Sequence, residues 1–394
     1  MWGHHNSNYM QQLIPTIIFS IIPITYIIGP FALNLNILVV FLLAIKKVLN
    51  NKNLLTFELT DKIVIIFFLY LFITSFINSL DLFFNRETYF LDYTVLEKSI
   101  FYFRYFLLFY SIKVLITSKS INLNYMIWTS LIATSFVGFD LILQMWSGAN
   151  ILGQVSPYYE KLTGLFGEEA IAGGYLQKFS LIPILGIIFF FSNNNKLIKI
   201  FFLIIFISFI CFTIIISGNR MPFLLFCLSL IIISLNFNLI KKNFIIISII
   251  ISLILFLTIS LNTNTRNYYK ILYNNSSDII KLVTYRLTGI GENIPVEKRP
   301  SYINEFDDGI ATWKMNKVFG GGVKSYRYNC TYREKTPDII YRYRNEVDTF
   351  CNMHPHNYYL EILADLGIVG LILFLLILFN FIKLFKKIVK ESIY

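Results

Sequence analysis

The 394-residue sequence predicts an all-α polytopic membrane protein of about ten transmembrane helices, with a large, partly helical external loop before the last of them. Three observations carry that reading. Hydrophobic residues make up 56% of the chain against 14% charged, and long runs of Ile, Leu and Phe hold almost no charge. Several of these runs reach the roughly 20 apolar residues that a hydrocarbon core of about 30 Å requires. Basic residues, finally, concentrate in alternate connecting segments, as the positive-inside bias demands. A soluble chain would need many helices that are apolar on every face, and periodicity gives no support for that.

Taken in order, the spans are expected near 13–29, 31–45, 62–80, 98–116, 123–146, 170–192, 197–216, 221–240, 243–261 and 367–386. When sides are alternated, one set of short segments holds fourteen lysines, Lys46, Lys47, Lys241, Lys242, Lys386 and Lys387 among them. The other set of short loops holds four basic residues, Arg86, Lys98, Lys161 and Arg220. This asymmetry puts both termini in the cytoplasm and residues 262–356 outside. Between the first two spans "IIGPFALNLN" is barely polar, so these two are alternatively one broken span. The N-terminal "MWGHHNSNYMQQ" has no Lys or Arg before the first apolar run and no small-residue cleavage site after it, so a removed signal peptide is not expected. His4 and His5 read as tail residues without function. The formal charge of +11 is accounted for by topology, and no basic stripe with interleaved aromatics remains to bind nucleic acid.

Three parts follow: a transmembrane bundle of about nine spans over 1–261, a large external loop over 262–356, and a C-terminal transmembrane helix with a cytoplasmic tail over 357–394. The large loop carries fourteen Lys/Arg against ten Asp/Glu and contains Trp313 and "FGGGVKSY". A structureless loop of that size is unusual, so a small cap of helices is expected. A second external loop covers 147–169. Cys211 and Cys227 lie in apolar spans and read as packing residues. Cys330 and Cys351 lie in the external loop, where an oxidising compartment favours their pairing. A zinc site is less well supported: His354 lies three residues from Cys351, but no CxxC accompanies them.

Candidate chemistry gathers on the external side. In "NMHPHNYYLEILADLGIVG" the chain can be helical from Tyr358 through Phe385, longer than a bilayer core needs. His354, His356 and Asn357 then stand at the helix N-terminus, whose amides attract phosphate and whose field favours a neutral imidazole fit to act as a base. The competing reading makes the two imidazoles helix caps or headgroup anchors. In "ISGNRMPF", Arg220 either snorkels to lipid phosphates or grips a diphosphate bidentately. Arg104 and Lys178 fall in the outer halves of their helices, as do Asp140 and Gln144, one turn apart, and charges at such depth face a cavity or a partner. Glu168 or Glu169 is a possible partner for Lys178. Asp307 and Asp308, in "EFDDG", are either metal ligands or part of a solvated turn.

Together these segments resemble the O-antigen ligase and O-antigen polymerase superfamily. The stretch "HPHNYYLEILADLGIVG" is similar to the His-Asn pair that opens a helix after a large periplasmic loop, and "SGNRMPFL" to the family's Ser-Gly-x-Arg turn. "FDLILQMWSGANILGQ", "TGLFGEEAIAGGYLQK" and "VFGGGVKSYRYNC" leading to "CNMHPHN" are similar to a polymerase-like branch with a cysteine pair in its large periplasmic loop. The resemblance covers roughly residues 130–370. It implies an inverting, metal-independent glycosyltransferase of the bacterial inner membrane that needs no cofactor. Such an enzyme passes a glycan from a polyprenyl diphosphate carrier to a sugar hydroxyl, on the lipid A core for a ligase and on another carrier-linked glycan for a polymerase. Carried over by position, Arg220 binds the diphosphate and His356 activates the acceptor. A second diphosphate arginine is expected at Arg327, with Arg286 and Arg299 behind it. Alternative readings are a lipid-linked oligosaccharide flippase or transporter and a non-catalytic membrane scaffold.

Overall fold

The computed structural model describes residues 12–85, 94–158, 160–190, 196–261, 263–289, 294, 299–332, 351 and 354–393. His4, His5 and Arg86, together with Lys298, Arg333, Lys335, Arg342 and Arg344 of the large loop, lie outside the described residues. Among those described, regular structure is helical, and the only bridge is an isolated one between Ala149 and Val155. After a helical run over 12–20, the helices are α1 (Ile22–Ile28), α2 (Pro30–Asn50), α3 (Leu59–Asn85), α4 (Thr94–Thr117), α5 (Leu123–Ser147), α6 (Ala172–Phe179) and α7 (Leu181–Phe190). They continue as α8 (Lys196–Ile216), α9 (Arg220–Asn236), α10 (Asn238–Leu261), α11 (Thr263–Thr288), α12 (Ser301–Met315), α13 (Tyr326–Tyr332) and α14 (Tyr358–Ile393).

Eight stretches among the described residues are long and apolar enough to cross a membrane: Pro30–Asn50, Leu59–Leu80, Thr94–Thr117, Leu123–Ser147, Ala172–Phe189, Leu197–Ile216, Ile240–Leu261 and Tyr358–Ile388. Against the ten expected, α9 is apolar but only 17 residues long. The first expected span is divided, because the helix is interrupted at Ile21 next to Pro23, which has no amide to donate. The surfaces suit lipid. Phe31, Trp146, Leu197 and Leu261 are each more than four-fifths exposed, a distribution that water would penalise heavily.

The chain forms two compact units, residues 1–55 with 110–271, and residues 56–109 with 272–394. In the first, small residues let helices approach closely, as in membrane bundles generally. A Cβ on Gly138 of α5 would lie 2.6 Å from the Phe209 ring of α8, and one on Gly186 of α7 would lie 2.7 Å from Ile127. Tyr175 of α6 is fully buried, donates to the Pro23 carbonyl at 3.1 Å and packs among Tyr26, Phe166 and Phe179.

The second unit is built around α3 and α14. Leu71, Val323 and Leu366 form its buried apolar centre, flanked by Phe67, Tyr70, Tyr102 and Ile362. Its governing feature is a break in α14 at Gly367, whose φ of 66° and ψ of −168° are not helical. The sequence reading expected one uninterrupted helix here; glycine alone reaches this conformation without steric cost, and the neighbouring loop selects it. That loop is the "VFGGGV" stretch, 318–323. The amides of Gly321 and Gly322 donate to the carbonyls of Ala364 and Asp365 at 3.1 and 2.7 Å, and those of Ile368 and Val369 donate to Lys317 and Val318 at 3.0 and 3.2 Å. Backbone groups freed by a helix break in an apolar bundle must find such partners. Tyr70 and Ser75 of α3 complete the clasp: the Tyr70 hydroxyl reaches the carbonyls of Leu366 and Phe319 at 2.8 and 3.0 Å, and Ser75 Oγ accepts from the Val323 amide at 3.0 Å.

Candidate functional site

In the second unit the clasp places charged groups around the start of α14. Asp365 is buried; its Oδ2 accepts the Lys324 amide at 2.6 Å and its Oδ1 the Tyr326 amide at 3.1 Å. One turn earlier Glu361 forms an ion pair and hydrogen bond with the Lys324 ammonium. Burial pulls that ammonium down, but the Glu361 hydrogen bond, with the Tyr102, Glu361 and Asp365 groups around it, outweighs this, so Lys324 holds its proton more tightly than free lysine. Lys324 has a φ of 61°, a left-handed backbone that this residue type seldom adopts, and such strain concentrates where a side chain must be aimed.

The "HPHN" segment follows. Asn357 Oδ1 accepts the amides of Tyr359 and Leu360 at 2.9 and 3.1 Å, so Asn357 is the N-cap of α14. Of the alternatives weighed from sequence, this sets aside imidazole caps, and two of the amides expected to attract phosphate are already taken by Asn357. His356 has a φ of 48°, and its side chain is 51% exposed. Its ring lies 4.4 Å from that of His354. His354 is half-buried with Nδ1 unpaired among the described residues; burial, and next the neighbouring His356, holds its proton affinity below the ordinary histidine value. Facing His356 from α12 is Glu305, whose Oε2 lies 3.9 Å from His356 Nε2. Sequence reasoning did not single out Glu305, because nothing in "NEFDDG" separates it from the acids that follow.

The arginines expected for diphosphate differ in their commitments. Arg286 donates twice to Asp307, at 2.9 and 2.6 Å, and Arg299 lies 3.7 Å from the same carboxylate. The Asp307 hydrogen bond strengthens the hold of Arg286 on its proton, whereas burial and then the Arg286 charge weaken that of Arg299. Arg327, on α13, is half-buried with Nε unpaired among the described residues. Arg104 donates to the Tyr105 hydroxyl at 3.0 Å and lies over that ring.

Cys330 and Cys351 form a disulfide, packed against Tyr326 and Ala364. Asp308 is buried beside it. Bonded sulfurs offer no thiolate, so neither this trio nor the Cys351–His354 pairing is a thiolate metal site in this state. With Asp307 held by two guanidinium groups, the "DD" pair is not the solvated turn or paired metal site weighed from sequence.

In the first unit, Gly218 has a φ of 74°, and a Cβ there would collide with the Glu160 carbonyl, so "SGNR" turns tightly against the 147–169 loop. Asn219 is the N-cap residue and Arg220 the first residue of α9, half-buried. Lys178 is exposed and, among the described residues, forms no ion pair with Glu168 or Glu169. Asp140 and Gln144 are buried and engaged by the protein's own backbone. Asp140 Oδ1 accepts the Ile151 amide at 2.7 Å and Gln144 Oε1 the Gly164 amide at 2.8 Å, so both hold the 150–164 loop.

The architecture and the residues at the head of α14 agree with a comparison against known families: residues 203–375 match the model described as O-antigen ligase. No curated protein and no solved structure matches the chain. The matched stretch takes in the Ser217–Arg220 turn, α12, the glycine clasp and the "HPHN" segment. This match over residues 203–375 supports kinship with the O-antigen ligase and polymerase superfamily, and together with the apolar helices it indicates a multi-pass inner-membrane protein.

Proposed function

We propose that the protein joins glycans carried on polyprenyl diphosphate, on the periplasmic face of the inner membrane, as a polymerase or ligase of surface polysaccharide. The observation that carries this reading is the family match that spans both Arg220 and His356. Exposure of the His356 ring at a strained backbone position beside a buried carboxylate supports a chemical role for it.

In this mechanism the acceptor hydroxyl attacks the anomeric carbon from the face opposite the diphosphate. The new C–O bond forms as the bond to phosphate oxygen breaks, and the diphosphate leaves with the electron pair. His356 takes the hydroxyl proton, and Arg220 compensates the charge that grows on the leaving group. A positioned base contributes about 10²–10⁴-fold. Arg327 serves as the second cation at the diphosphate, because Arg286 and Arg299 are engaged by Asp307. Lys178, Arg104, His354 and Asn357 remain supporting groups around carrier and substrate. Both termini are cytoplasmic in this reading, and the reaction draws on no metal or nucleotide.

The test is the glycan pattern of a deletion strain complemented with wild type, Arg220→Ala or His356→Ala. Loss of ladder rungs with single units retained identifies a polymerase, and loss of all attached glycan identifies a ligase. Unchanged glycan with both variants rejects the proposal, and carrier movement that survives His356→Ala favours a flippase.

A further inference from the structure

Glu305 lies four residues before Gly309 on α12, so the two share one face of that helix. This face seats the "HPHN" segment. A Cβ on Gly309 would lie 3.2 Å from Pro355 and 3.4 Å from Leu360, so the bare glycine lets α12 press its backbone against the chain on both sides of His356. One turn away, the Glu305 side chain is only 10% exposed and sets Oε2 3.9 Å from His356 Nε2. The His354 ring stands against the same imidazole, and the Asn357 cap ties the next residue to α14. The His356 imidazole is thus constrained by its backbone, by a ring and by a carboxylate.

We propose that Glu305 is the positioning residue for His356, facing Nε2 so that this nitrogen carries the proton and Nδ1 is left to accept one from the acceptor hydroxyl. The inference rests on the assignment of His356 as the base. A carboxylate only accepts hydrogen bonds, so it selects the tautomer with N–H turned towards it. A separation of 3.9 Å is ion-pair contact, and catalytic hydrogen bonds commonly close to full contact only with substrate bound. As the proton reaches Nδ1 the ring becomes a cation, and the adjacent buried carboxylate stabilises it. Glu305 itself gains no proton; the imidazolium later releases its proton to water.

The experiment uses the full chain in membrane vesicles, with polyprenyl-diphosphate-linked glycan extracted from a strain deleted for this protein as the donor. Glu305→Gln is expected to lower kcat at least about 10-fold, by analogy with the carboxylates that orient metal-bound and triad histidines, with KM for donor little changed. Glu305→Asp should recover part of the loss. In the His356→Ala background, Glu305→Gln should cost nothing more, since the carboxylate acts only through the ring. Wild-type kcat in Glu305→Gln beside an inactive His356→Ala overturns this inference alone, as does a full additive loss in the double variant. Undiminished turnover in His356→Ala overturns the base assignment instead. If Glu305→Gln leaves Cys330 and Cys351 open to alkylation, Glu305→Asp decides: lowered kcat at constant KM supports the proposal and wild-type kcat overturns it.

Discussion

The amide of Ile368 donates to the carbonyl of Lys317 at 3.0 Å, across a helix break that the apolar sequence of α14 does not announce. Gly367 is the residue that permits it. A Cβ there would run into the Val318 carbonyl and strain a backbone at φ 66°. Gly367→Ala is therefore expected to destabilise the second unit by about 1–3 kcal/mol, seen as a lower melting temperature in detergent and faster proteolysis of the large loop. An unchanged melt would mean that the clasp is not held by this glycine.

His356→Ala should reduce turnover by about 10²–10⁴-fold with protein level and disulfide intact. Arg220→Lys keeps the charge but loses the guanidinium fork, so donor KM should rise on the order of tenfold. Initial rates against donor concentration separate the two effects. A Lys variant indistinguishable from wild type would leave Arg220 with a lipid-facing role.

The Cys330–Cys351 bond closes a separation of 21 residues. In the chain-entropy model a loop of that length contributes about 3 kcal/mol. Cys330→Ser should lower the melting temperature, and reductant should lower that of the wild type but not of the variant. Equal sensitivity of the two to reductant would contradict the model.

His354 gives a pH dependence of defined sign. Its folded-state proton affinity lies below the ordinary value, from burial first and His356 second. The unfolded chain therefore binds more protons at mildly acid pH, and stability falls as pH drops through about 6.5 and below. Lys324 acts in the other direction: its affinity is raised, so its contribution is present below about 10.5 and is lost as pH rises through the higher folded value. Melting curves from pH 5 to 8 should slope upwards in the wild type, and His354→Gln should flatten that slope.

Asp140→Ala removes the acceptor of the Ile151 amide, which α5 holds at 2.7 Å. Leaving a partly buried donor unsatisfied costs about 1–3 kcal/mol. The expected signature is a looser 150–164 loop, seen as faster cleavage by added protease, with donor KM little changed. A large rise in KM without loosening would instead place Asp140 at the substrate site.

The membrane spans were legible because each is a local property: twenty apolar residues identify themselves wherever the rest of the chain goes. The Cys330–Cys351 pair was legible for a similar reason, since the compartment expected for that loop argues for pairing. Gly367 was not. In "ADLGIVG" a single glycine reads as a tolerated helix residue, and only the distant 317–322 stretch, which supplies alternative hydrogen bonds, turns it into a break. Asp140 and Gln144 were correctly read as groups needing partners, but hydropathy does not say whether the partner is a ligand or the protein's own loop. Glu305 was missed because its significance lies in what faces it. The available signal was its helical spacing from Gly309, and that spacing acquires meaning only once α12 meets Pro355.

The clasp also sets an order of manufacture. Residues 317–322 are synthesised before Ala364 to Val369, and neither half has its hydrogen-bond partners until the other exists. The 317–322 stretch thus reaches its finished form only after α14 has been synthesised. A chain halted before that helix retains the clasp's donors and acceptors with nothing to close upon.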